Sequence, residues 1–475
     1  MLTRSRRLVA GAAVCAALAA PGIAHAADRG TLLGARPIAH LSRDQTAAQV
    51  KALTLPGERP LPTAPIRFGS DAYRLTYATI GADGAPTTAT GLVLLPRNGQ
   101  RRLRTVSYAH GTMAARVDAP SRSLDSLAGA SALLFAGAGY ATVAPDYLGL
   151  GYGPGRHPYM QLASETSASL DLLRAAHAFA QGRHRRLDDD TLVTGFSQGA
   201  AAAMALGEAL QDGADAHLRL AALAPMSGPY DVEHAELPAV LAGRLDPAAS
   251  NYYLSYAMRE WEPIYHVFDA PTDVWRGGWG QKVNGLFDGR HDDVAILKVL
   301  PRRLDELFTP AFRARLAHPD GALLAAIRAS DGACDWAPKA PIRLYGARGD
   351  EQVAFANSRS CVATLAAHGV KAPLLDMGRT GHFGSTLRAT PRVLAFFQRI
   401  QTPSRTVGKR GAQPSSAFAR ALRTRTDADS ERASGNPTRA PATPTEELPG
   451  RGRPAASATT STSARWVTGS SSTAR

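Results

Sequence analysis

The sequence predicts an α/β protein built on a mixed sheet, antiparallel at its start and mostly parallel afterwards, with flanking crossover helices. Three observations carry that prediction. Over residues 27–401, short β-branched runs alternate with longer stretches of helical spacing. A hairpin pattern opens the series. Between residues 230 and 340 the alternation stops, and a mostly helical insert with clustered aromatic residues takes its place.

The hairpin is read from Tyr73-Arg74-Leu75-Thr76-Tyr77-Ala78-Thr79 and Thr88-Ala89-Thr90-Gly91-Leu92-Val93-Leu94-Leu95, joined through Gly81-Ala82-Asp83-Gly84. Later strands are predicted at 104–108, 141–144, 191–194, 221–224, 342–345 and 373–375, with helices over 123–138, 164–181, 199–211, 354–368 and 391–401. The insert holds Trp261, Trp275 and Trp279, with Trp336 at its exit and Tyr252, Tyr253, Tyr256, Tyr265, Phe268 and Phe287 nearby. An insert at the C-terminal edge of a parallel sheet is placed to cap a binding site. Most of its aromatic residues are expected to form its own core, and a minority to face the pocket. The organisation expected is therefore core 27–229, helical cap 230–340 and core 341–401.

Both ends of the 475-residue chain depart from this pattern. Arg4, Arg6 and Arg7 precede an apolar run over 8–20, followed by Pro21, Gly22 and Ala24-His25-Ala26, which reads as an export signal over 1–26. The run is too short for the roughly 20 residues that span a bilayer. Residues 402–475 lose apolar periodicity, fill with Ser, Thr, Pro, Ala and Arg, and read as a disordered basic tail. Weak contact with an anionic surface is a possible role for that tail, and a solvated tail is the simpler one. The whole-chain net charge of +14 comes mostly from these ends; residues 27–401 carry 39 basic and 35 acidic residues, a net of +4. That surface is not one for a polyanion, and nucleic acid is not an expected partner. Secretion or a periplasmic location would let Cys334 and Cys361 close a disulfide, stabilising by about 3–4 kcal/mol in the chain-entropy account.

Gly195-Phe196-Ser197-Gln198-Gly199 follows a β-rich run and opens a helical one, the strand–turn–helix context in which such a motif presents an exposed serine nucleophile. A serine hydroxyl needs a base within hydrogen-bond reach and a carboxylate to orient that base. Asp350 follows the strand pattern ending in Tyr345-Gly346, and His382, in Thr380-Gly381-His382-Phe383-Gly384, falls in a loop after the next strand. Ser197, Asp350 and His382 thus occur in the chain order Ser, Asp, His. Asp376, Asp335 and His368 are weaker competitors by position. An oxyanion would need backbone N–H donors, expected at Gln198 and at Thr112 of His110-Gly111-Thr112. No Cys/His cluster has zinc spacing and no glycine-rich loop has a phosphate-binding context, so no metal or organic cofactor is expected.

With Tyr108-Ala109-His110-Gly111-Thr112, Pro145-Asp146-Tyr147-Leu148-Gly149-Leu150-Gly151, His157-Pro158-Tyr159, the serine motif, Asp335-Trp336-Ala337-Pro338, Gly349-Asp350 and Gly381-His382, the sequence resembles the α/β-hydrolase superfamily. Within it, the chain is similar to the secreted lipase and esterase group of the fungal secretory lipases and their bacterial relatives, over about 70–400. The resemblance implies a carboxylic-ester hydrolase with Ser197, Asp350 and His382 as its triad and a helical lid supplying the acyl pocket. Asp146, Tyr147 and His157 look like loop-shaping residues. The HGGG run of many lipases is absent, since Thr112, Met113 and Ala114 follow Gly111. The same triad would also serve a peptidase, thioesterase or acyltransferase, and a non-catalytic surface-binding protein on this scaffold is a further alternative.

Overall fold

The computed structural model describes residues 28–400. The export signal expected at 1–26 and the basic tail expected at 402–475 lie outside the described residues. Nine strands form one sheet in the order β1-β2-β3-β5-β4-β6-β7-β8-β9. They are β1 (Leu32–Leu41), β2 (Ser70–Ile80), β3 (Pro86–Pro96), β4 (Arg102–Ala109), β5 (Ala141–Pro145), β6 (Arg186–Phe196), β7 (Arg219–Met226), β8 (Leu344–Gly346) and β9 (Leu374–Asp376). The pairs β1/β2, β2/β3 and β3/β5 are antiparallel, and every pair from β5 through β9 is parallel. This is the mixed sheet the sequence predicts.

Strand periodicity explains how both faces become core. Leu92 and Leu94 of β3 and Leu192 and Phe196 of β6 join one apolar cluster, whereas Val93 and Leu95 of β3 and Val193 of β6 join the opposite one. The first face is covered by α1 (Arg43–Ala52), α2 (Leu127–Gly137) and, late in the chain, a helix over His382–Arg399. The second is covered by α3 (Leu162–Gln181), α4 (Gln198–Gln211) and a helix over Phe355–Ala367.

Between β7 and β8 the chain forms α5 (Leu237–Leu241), α6 (Pro247–Tyr265), α7 (Pro271–Val274), α8 (Trp279–Leu286), α9 (Asp293–Val299), α10 (Leu304–Leu307), α11 (Pro310–Ala317) and α12 (Gly321–Asp331). Their core is a third cluster that includes Tyr252, Tyr256, Trp261, Trp275, Phe287 and Phe308. Trp336 instead packs into the sheet-face cluster with Cys334 and Cys361. The chain then returns through β8, α13 (Phe355–Ala367), β9 and α14 (His382–Arg399). Cys334 and Cys361 are joined by a disulfide, tying the end of the helical segment to α13. Among the described residues no helix is long and apolar enough to cross a membrane.

Three elements differ from the expectation. β1 and α1 are additional. β1 is an edge strand whose side chains are mostly exposed, and Pro37 lies at a register shift, so it shows no clean alternation. α1 is announced only by its capping box, in which Ser42 and Gln45 bond each other's backbone N–H. The last helix begins at His382, nine residues ahead of the expected start, and carries Pro391 inside it. Proline is favoured in the first turn of a helix, which made position 391 look like a beginning. His382 therefore opens a helix instead of lying in a loop.

Candidate active site

The parallel register brings the C-terminal ends of the central strands level: Ala109 of β4 pairs with Gly195 of β6, and Gly195 with Pro225 of β7. The loops after β4, β6, β8 and β9 therefore open at one rim of the sheet. Ser197 stands between β6 and α4 with φ 57° and ψ −125°, a conformation that L-residues rarely adopt. Its flanking glycines are required by space. A Cβ on Gly195 would lie 2.0 Å from the Gly199 carbonyl oxygen, and one on Gly199 would lie 2.2 Å from that of Ala109. The turn can close only because both side chains are missing.

His382 Nε2 lies 2.9 Å from Ser197 Oγ. Its Nδ1 lies 2.8 Å from Asp350 Oδ2 and 3.0 Å from Oδ1. Since the carboxylate can only accept, Nδ1 carries the proton and Nε2 is left to accept from the serine. The loop after β8 holds Asp350 in turn: the N–H groups of Gln352 and Val353 donate to Oδ1 at 3.0 and 2.9 Å. The neighbouring Glu351 accepts the backbone N–H of His382 at 3.0 Å, fixing the start of α14. Burial of the His382 imidazole opposes its protonation, but the Asp350 carboxylate and its hydrogen bond, reinforced by Glu351 and Glu236, outweigh it and raise the pKa above the ordinary value.

The other expected residues fall around this group. Gly111 packs so closely on the serine turn that a Cβ there would meet Phe196 and the Ser197 Cβ at 3.1 to 3.3 Å, so the His110-Gly111-Thr112 loop runs directly beside Ser197. The Thr112 hydroxyl lies 3.1 Å from that of Tyr159. The side chain of Gln198 is buried, with Nε2 2.9 Å from His157 Nε2 and 2.6 Å from Glu165 Oε1. His157 Nδ1 lies 3.1 Å from the Leu148 carbonyl, so it donates there and its Nε2 accepts from the amide. Burial pushes Glu165 up to about 8 and His157 down to about 3.

Asp146 accepts from the Thr90 and Ser121 hydroxyls and from the Ser121 N–H, and Tyr147 holds φ 64°. His110 is wholly buried and pushed down to about 4 by that burial. The competing acids and base lie elsewhere: Asp335 pairs with His368 at 2.8 Å, and Asp376 ends β9.

A large cavity opens from Ser197 and Gln198 into the helical segment. Its wall is largely aliphatic, with Leu237, Val240, Leu254, Met258, Leu323 and Ile327, and Trp261 adds an aromatic face. Tyr159, Ser250, Tyr253, Gln352 and Glu236 are polar exceptions. A second, smaller cavity is lined by Thr112, Tyr252, Tyr253, Asp293 and Phe383 among others. Glu236, Glu351 and Glu165 do not stand out in the sequence, where an isolated acid reads as a solvated one; their hydrogen-bond partners and, for Glu165, burial distinguish them. Among the described residues no group of three or more His, Cys, Asp or Glu is arranged to hold a metal ion.

No family model matches the sequence, and no curated protein matches it. Solved structures do. A candidate hydrolase from Legionella pneumophila is 25% identical with a TM-score of 0.72, covering 79% of this chain and 100% of that one. The rice cell wall degrading esterase LipA from Xanthomonas oryzae is 26% identical with a TM-score of 0.69, covering 79% and 99%. Candida antarctica lipase A, at 15% identity and a TM-score of 0.55, covers 74% and 78% and shares the fold. The chain thus has the α/β-hydrolase fold and is similar to a hydrolase and an esterase built on it.

Proposed function

We propose that this chain is an exported serine hydrolase of carboxylic esters that works through an acyl-enzyme on Ser197. The observation that carries the reading is the continuous relay from Ser197 Oγ through His382 to Asp350, with links of 2.9 and 2.8 Å. As Ser197 attacks the ester carbonyl, His382 Nε2 takes the hydroxyl proton and Asp350 stabilises the imidazolium that forms. The resulting oxyanion is met by the backbone N–H groups of Gln198, at the start of α4, and Thr112. His382 then returns the proton to the departing alcohol. A water molecule, deprotonated by the same nitrogen, releases the acid.

The helical segment over 230–340 serves as the cap, and its aliphatic cavity beside Ser197 receives the acyl chain. Water exclusion there strengthens the electrostatics of the relay. Export is supported by the N-terminal pattern over 1–26 and by the Cys334–Cys361 bond, which suits an oxidising compartment. The test is hydrolysis of short p-nitrophenyl esters by the purified protein. Ser197→Ala should abolish turnover while leaving the circular dichroism spectrum unchanged, and a fluorophosphonate should label Ser197 alone. Labelling elsewhere, or undiminished turnover by Ser197→Ala, refutes the assignment.

A further inference from the structure

Among the described residues, Glu236 is the only acidic one on the wall of the large cavity, which it shares with Ser197. Its carboxyl is held in place: Oε2 accepts the Ala354 N–H at 2.9 Å and the Asn357 side-chain amide at 2.6 Å, and Asn357 is itself fully buried. Oε1 takes no hydrogen bond from any described residue. A fixed carboxyl oxygen without a partner, in a space otherwise walled mainly by aliphatic side chains, is costly to bury. An unsubstituted hydrocarbon chain filling the cavity would remove water from Oε1 and return nothing.

Burial pushes Glu236 up to about 7, so both protonation states are populated near neutrality. An ammonium group would suit only the ionised form, and a ketone only the protonated one. A hydroxyl suits both, because it donates to a carboxylate and accepts from a carboxylic acid.

We propose that Glu236 Oε1 is the polar anchor of the acyl cavity, and that the preferred substrates are esters whose acyl chain carries a hydroxyl group. The inference rests on the acyl-enzyme reading of Ser197. It is tested with methyl esters of one medium-chain fatty acid, unsubstituted or carrying a single hydroxyl at successive carbons, with acid release followed by pH-stat. At least one hydroxylated isomer should exceed the unsubstituted ester in kcat/KM by about tenfold or more, mainly through a lower KM. In Glu236→Leu that ratio should collapse to about one, whereas Glu236→Gln, whose amide also donates and accepts, should keep part of it; Glu236→Met replaces the leucine variant if the latter fails to fold. A wild-type enzyme that favours no hydroxylated isomer overturns the proposal, as does a preference that survives in the apolar variant. Turnover persisting in Ser197→Ala would instead sink the acyl-enzyme reading, while Ser197-dependent turnover without hydroxyl preference sinks the anchor alone.

Discussion

His382 Nε2 and Ser197 Oγ lie 2.9 Å apart although 185 residues separate them along the chain. That distance permits direct proton transfer without rearrangement. Removing either member should therefore cost far more in rate than in stability. Ser197→Ala and His382→Ala are each expected to lower kcat on a p-nitrophenyl ester by about 10⁴-fold or more, and Asp350→Asn by about 10⁴-fold. The Ser197→Ala/His382→Ala double variant should be little worse than either single one, because the two act as a unit. Additive losses in that pair would mean they do not.

In the proposed mechanism the base must be neutral to accept the serine proton, so kcat/KM should rise with pH through the pKa of His382. Burial works against the imidazolium, yet Asp350 and then Glu351 and Glu236 raise that pKa above 6.5. The acidic limb should accordingly have its midpoint above 6.5. In stability terms, the benefit of the paired imidazolium is complete below the unfolded-state pKa and is lost as pH rises through the folded one. Glu351→Gln removes one negative charge while keeping an acceptor for the His382 N–H, so it should move the limb to lower pH without abolishing activity. An unmoved limb in that variant would show that Glu351 does not act on the imidazole.

The fold and the site were legible to different depths. Gly195 and Gly199 stand out because a sharp turn imposes its steric demand on a few consecutive residues, and the chain order of Ser197, Asp350 and His382 follows from strands that could be read locally. β1 was hidden because an edge strand exposed on both faces has no periodicity to display. The start of α14 at His382 is not legible because Gly384 and Pro391, both weak helix formers, fall within that helix. Glu236, Glu351 and Glu165 look like ordinary surface acids in sequence; their surroundings come from helices and loops up to 121 residues away, as with Glu236 and Asn357. Such a setting for an acid announces itself only through tertiary structure.

Glu165 predicts an unusual pH dependence of stability. Burial pushes its carboxyl up to about 8, against the opposing hydrogen bonds from Gln198 and Met160. The folded state therefore binds this proton more tightly than the unfolded state, and the associated stability is full below about 4.5 and lost as pH rises towards about 8. Glu236 and Asp331, each raised to about 7 chiefly by burial, act in the same direction. Below about pH 6.5 the buried His110 and His157, pushed down to about 4 and about 3, act in the opposite direction, so the Tm should fall between pH 7 and pH 9, and Glu165→Gln should flatten part of that fall while its amide oxygen still accepts from Gln198. A slope identical to that of the wild type would place the titration elsewhere.

The Cys334–Cys361 bond closes a short loop, of sequence separation 27, for which the chain-entropy account assigns about 3–4 kcal/mol. Cys334 and Cys361 are almost fully buried in the core beneath α13. Cys334→Ser with Cys361→Ser should lower the Tm by several degrees, while Cys334→Ala with Cys361→Ala, which adds no polar atom to that core, should lower it less. Calorimetry of the two double variants separates the cross-link from the burial of a hydroxyl. Equal Tm values for the alanine pair and the wild type would show that the bond contributes nothing.

Acyl-chain selectivity should respond to the wall of the large cavity before it responds to the relay. Leu254 is only partly buried and faces the space shared with Ser197, so a larger side chain there has room to project into it. Leu254→Trp is expected to remove volume from the acyl path at an overpacking cost of about 1–3 kcal/mol. Each methylene excluded from an apolar pocket is worth about 1–3 kcal/mol in transition-state binding, so kcat/KM for long-chain p-nitrophenyl esters should drop by about tenfold or more. Acetyl esters, whose acyl group needs the least of that volume, should be slowed far less. If the long- and short-chain esters are slowed equally, the chain does not occupy this cavity, and the cap would have to receive the alcohol portion of the substrate instead.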